Sequence, residues 1–108
     1  MVVLVESPQA HDLTELSDLV QAAELLKALA HPHRLRMIQM LLAGQYAVGE
    51  LAQACGIASA AASEHLRMMQ QCGLLTSEKE HRKKYYHVAD VRLATMMSIV
   101  EAGFCRRS

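Results

Sequence analysis

The chain carries no net charge: eleven Lys and Arg offset eleven Asp and Glu. No global field announces a partner, so any basic surface must be local. Cysteine is sparse. Three residues with no CxxC pair exclude a disulfide framework. Proline stands only at 8 and 32, no stretch is rich in Gly and Ser, and no repeat is present, so no linker divides the chain. The opening MVVLVES has a short apolar run and no basic residue. It reads as neither a signal peptide nor a membrane span, and the expectation is a cytoplasmic protein with reduced thiols and no membrane partner. A Gly-rich phosphate loop and a nucleophile elbow are also missing, and enzymatic activity is not expected.

What is present is a core. Of 108 residues, 52% are hydrophobic and 20% charged, which suits one globular domain and excludes disorder. Residues 1–11 read as a loose arm and 12–108 as the domain. Asp12-Leu-Thr-Glu15 has the form of a capping box and predicts a first helix from about residue 12. Its apolar stripe is Leu16, Leu19, Val20, Ala23, Leu26 and Leu29. Ala30-His31-Pro32 starts a second helix, with Pro where a missing N–H costs nothing, and Gly44 ends it. A short third helix spans about 48–55 and a fourth about 59–71, stopped by Gly56 and Gly73. Leu74–Ser77 and Lys83–Val88 read as strands around a polar turn, Glu78–Arg82. Asp90 can cap a last helix with Val91, Ala94, Met97, Val100 and Phe104 on its apolar stripe. The fold class is therefore mainly α with a β-hairpin wing, a winged helix-turn-helix of four helices, hairpin and helix.

In such a fold the second helix of the motif enters the major groove. Here its first half is Ser59-Ala60-Ala61-Ala62-Ser63-Glu64-His65, small enough for close approach. The candidate DNA-binding residues on it are Ser59, Ala60, Ser63, Glu64, His65 and Arg67. On the wing they are His81, Arg82, Lys83 and Lys84, a local electrostatic footprint that can grip phosphates or enter the minor groove. A solvated edge strand would carry the same lysines; the preceding helix-turn-helix favours DNA.

Leu25–Leu35, Val48-Gly49-Glu50-Leu51-Ala52, Ser63-Glu64-His65-Leu66, Cys72-Gly73-Leu74-Leu75 and Tyr85-Tyr86 together resemble the ArsR/SmtB family of bacterial repressors, from about residue 16 to 105. The resemblance implies a homodimer joined by the first and last helices, an operator of double-stranded DNA with dyad symmetry, and release by an inducer. Two-fold pairing would independently double the base contacts of one recognition helix. Where the family starts each helix of the motif with Ser or Thr, this chain has Ala47 and Ala58. Each missing cap costs about 1 kcal/mol, so frayed helix starts are expected.

The inducer is open. Soft-metal members of the family carry Cys in the third helix, which here holds none until its end. Zinc-type members use Asp-x-His and His-x-x-Glu on the last helix; here Arg92 and Arg106 occupy two of those four places and would repel a cation. No metal site and no cofactor are expected, with an atypical metal site as an alternative, and His31 and His33 suit a helix start better than a ligand pair. The pattern is nearest the thiol- and persulfide-sensing subgroup, with Cys105 between Phe104 and two arginines that favour thiolate. The matching second-helix position is Gln39, not Cys. Cys55 and Cys72 are weaker sensing candidates and read as small core residues at helix ends. Six methionines, 37, 40, 68, 69, 96 and 97, sit on three helices; plain packing is the preferred reading, with room for an organic guest as the alternative. A winged-helix module that binds proteins is the remaining alternative.

Overall fold

The computed structural model describes residues 12–104. Its elements are α1 (Leu16–Leu29), α2 (Pro32–Ala43), α3 (Val48–Cys55), α4 (Ser59–Gln71), β1 (Leu75–Glu80), β2 (Lys83–Val88) and α5 (Arg92–Phe104). The predicted element order and winged helix-turn-helix architecture are those of the structure. The arm, and Cys105 with it, lie outside the described residues.

One cluster forms the core. Met37, Ile38 and Leu41 of α2 meet Leu51 and Ala52 of α3, Ala62, Leu66 and Met69 of α4, and Leu93 and Met97 of α5. Leu74, Leu75 and Tyr86 close it from the wing. No polar residue is buried among the described residues, so the interior is held by apolar burial and close packing. α3 and α4 end the same way. Gly56 and Gly73 adopt φ values of 67° and 81°, where a Cβ would be strained. The next residue then reaches back five positions, Ile57 N–H to Ala52 O and Leu74 N–H to Met69 O, both 3.0 Å. This satisfies helix-end carbonyls and turns the chain sharply.

The structure corrects four details. α1 begins at Leu16, with Glu15 at its N-cap and no side-chain cap bond there, so the helix starts four residues later than Asp12 and Asp12 is not its N-cap. Only the C-terminal end of α1 is buried, through Ala28 and Leu29; Leu16 and Val20 are 75% and 57% exposed. Val91 precedes α5 and is 87% exposed, and Phe104 is 86% exposed; the inward stripe of α5 keeps the expected Met97 and partly buried Val100 and adds Leu93. The hairpin is longer than expected: Leu75 pairs with Val88 through to Glu80 with Lys83, leaving only His81 and Arg82 in the turn. Both have positive φ, 50° and 71°, the twist that a two-residue hairpin turn requires.

Candidate nucleic-acid interface

α4 is placed by Ala62, Leu66 and Met69, which bury one stripe in the core. The opposite stripe carries Ala60, Glu64 and Arg67, all exposed, with exposed Ser59 and half-buried Ser63 along one flank. No side chain caps its first turn, so the N–H groups there are unpaired within the helix and point forward. α3 is better held: Ala47 offers no acceptor, but Glu50 Oε1 accepts from Ala47 N–H at 2.8 Å. Half of a capping box thus stands where the sequence suggests none.

His65 sits on the other flank. Two residues along a helix are about 200° apart, so His65 faces away from Ser63. It turns toward the start of α2, where its Nδ1 accepts from Arg34 Nε at 3.1 Å. Arg34 also donates to Ala28 O at 2.9 Å, joining α1, α2 and α4. Burial, reinforced by the nearby charges of His31, Arg34 and His33, holds the His65 imidazole below its ordinary pKa, so it is neutral near pH 7. His31 is the N-cap of α2, accepting from His33 N–H at 3.1 Å. That is the helix-start role the sequence assigns it. The sequence does not indicate that His31, His33 and His65 converge, with ring centroids 4.5–5.8 Å apart. Their positions carry no local ligand spacing that could have signalled it.

The wing tip exposes His81, Arg82, Lys83 and Lys84. Lys84 Nζ lies 5.2 Å from the Tyr86 ring centroid, so its stem crosses that ring. Glu80 faces Lys83 across the ladder, while Lys79 faces Lys84. His87 bonds Glu78 at 2.9 Å. An isolated bridge, Ala47 to Tyr85, ties the wing to the loop before α3.

Burial pushes the Cys55 thiol up, against a smaller opposing effect of Arg36, and its Sγ lies 3.7 Å from His33 O. This is the setting of an inert thiol. Cys72 is exposed rather than a core residue, because it follows the last turn of α4 where the chain leaves the core. On α5, Arg92 grips Asp90 with bonds of 2.6–3.2 Å, so that carboxylate is already paired with a cation. Gln39 donates to Glu101 at 2.7 Å across α2 and α5. Met37, Met69 and Met97 are buried, and Met68 is exposed. The enclosed cavity beside Met96 and Met97 measures about 20 Å³, room for about one water and too small for an organic guest, while Met97 also lines an open groove of about 320 Å³ with Gln39 and Glu101. No helix among the described residues is long and apolar enough to cross a membrane.

Residues 31–77 match the family model described as "Bacterial regulatory protein, arsR family". The HTH-type transcriptional regulator YgaV of Escherichia coli is 32% identical over 98 residues, covering 86% of this chain and 99% of that protein. The biofilm growth-associated repressor of Agrobacterium fabrum is 32% identical over 85 residues, covering 79% and 73%. A homodimeric winged helix-turn-helix DNA-binding domain from Mycobacterium bovis superposes with a TM-score of 0.71 at 26% identity, over 93% of this chain and all of that one. The chain belongs to the arsR family of bacterial regulatory proteins, which are transcriptional regulators and not enzymes.

Proposed function

We propose that this chain is a sequence-specific repressor that binds a palindromic operator as a homodimer and is released by an inducer. The observation that carries the reading is the pairing of α4 with the wing. A helix with a small, exposed outer face and an uncapped start stands beside a hairpin tip of four basic or imidazole side chains. Ser59, Ala60, Ser63, Glu64 and Arg67 are assigned to the major groove, and His81, Arg82, Lys83 and Lys84 to phosphates or the minor groove. His65 is assigned to holding α4 rather than to reading bases. The homodimer named for the Mycobacterium bovis relative is carried over to this chain, with the exposed apolar residues of α1 and α5 as the joint. Bound near its own promoter, such a dimer occludes RNA polymerase. Release follows a change in the angle between the paired recognition helices, and Cys105 is the thiol through which an inducer would act.

Fluorescence anisotropy of the reduced protein against its own upstream DNA tests this across salt. The expected result is tight binding that weakens steeply with salt, a shallower slope for Lys83→Ala with Lys84→Ala, and relaxed sequence preference for Ser63→Ala. Loss of binding on adding a persulfide donor, absent in Cys105→Ser, assigns the switch to that thiol. No binding at any salt overturns the DNA-binding reading.

A further inference from the structure

We infer that His31, His33 and His65 form a binding site for a divalent transition metal of the zinc, cobalt or nickel class, spanning the start of α2 and the middle of α4. One ligand nitrogen from each ring lies within 4.8 Å of the other two, and all three residues are half-buried. Tetrahedral imidazole ligands on such an ion sit about 3.3 Å apart. Side-chain rotations close that gap, because the nitrogens lie within about 1.5 Å of that spacing before any backbone movement. Three imidazoles with no carboxylate select this class over calcium or magnesium. The groove along Arg34, Glu64 and His65 is open to solvent, so water can take the fourth position.

The hydrogen bonds already present give binding a mechanical consequence. A neutral imidazole has one lone pair. Those of His31 and His65 accept at Nδ1, from His33 N–H and Arg34 Nε respectively. When either ring ligates a metal, its Nδ1 is metal-bound or protonated, and can no longer accept. Metal uptake therefore releases the side-chain cap of α2 and detaches Arg34 from α4, while the ion itself takes over as the tie between the two helices. The ion replaces an arginine clamp with a coordinate one.

Cobalt(II) titrated into the full-length reduced chain reads this directly, without DNA, so its failure leaves the proposed repressor function standing. The expected result is one cobalt per chain, with visible bands of a tetrahedral centre and no sulfur-to-cobalt charge-transfer band. His31→Asn keeps a capping acceptor and removes a ligand. It should weaken binding by roughly 100-fold, since losing a ligand costs at least as much as losing a ligand's outer partner, which is worth roughly 10- to 100-fold. His65→Gln should do the same with an unchanged circular-dichroism spectrum. In the wild-type protein, zinc should shift the Arg34 Nε and His33 amide resonances. Absence of binding at micromolar cobalt, a thiolate band, or unchanged affinity in His31→Asn would each overturn the site.

Discussion

Two side-chain positions act on stability in opposite ways. Arg82 occupies a left-handed turn conformation at φ 71°, which costs a non-glycine residue about 1 kcal/mol, yet it stands at the wing tip proposed above to meet DNA. Arg82→Gly should raise thermal stability while weakening operator binding and reducing the salt slope by about one. A stability gain without loss of affinity would remove Arg82 from the interface. Asp90 is different: its gain is stability alone. Arg92 donates to its carboxylate from side chain and backbone, pulling its pKa down to about 2. The unfolded carboxyl titrates near 4, so the folded value is the depressed one. The stabilisation is then fully present above pH 4 and is lost as pH falls from 4 to 2. Asp90→Asn should cost about 0.5–1 kcal/mol at pH 7, and the two melting curves should converge near pH 2.

Within the helix-turn-helix, α4 is less anchored at its start than α3. Ala58 precedes it with no side-chain cap, whereas α3 has Glu50 on the Ala47 amide. Ala58→Ser should add about 1 kcal/mol and slow hydrogen exchange at 59–62. Strong protection of these amides in the wild-type chain would show that the missing cap leaves no fraying. Helical periodicity made the order of elements legible, because Leu, Ile and Met recur at the spacing that buries one face. It misled at the wing, where Glu78, Lys79 and Glu80 belong to a strand that has no buried face there, and a strand exposed on both sides reads as a loop. It misled again on α1 and α5, since an apolar stripe looks alike whether its cover lies within the chain or outside it. The clustering of His31, His33 and His65 was illegible for another reason. It depends on how α4 is rotated against α2, and no single helix records that.

For the molecule as a whole, the outer faces of α1 and α5 are the open account. Leu16, Val20, Ile99 and Phe104 are 75%, 57%, 68% and 86% exposed, more apolar surface than a chain held in water on its own favours. On the dimer reading, Leu16→Glu with Ile99→Glu should give a monomer by sedimentation and an operator affinity at least tenfold lower, while α2–α4 keep their fold. The wild-type melting temperature should climb with protein concentration, as mass action requires of a folded dimer, and a concentration-independent one would count against pairing through these faces.

α1 touches the core only through its last turns, by buried Ala28 and Leu29 and partly buried Leu25, so its first half rests on nothing of its own chain among the described residues. A helix of this length is marginal in water without packing. On the dimer reading, with pairing as the support of this helix, the chain's lifetime would be a function of its own abundance. Copies made when few others are present would hold out an unfolded first segment to proteases and be removed. Copies made among many would find a partner and persist. Such a regulator would accumulate past a threshold rather than in proportion to its synthesis, and its gene would read its own copy number through degradation before any inducer arrived.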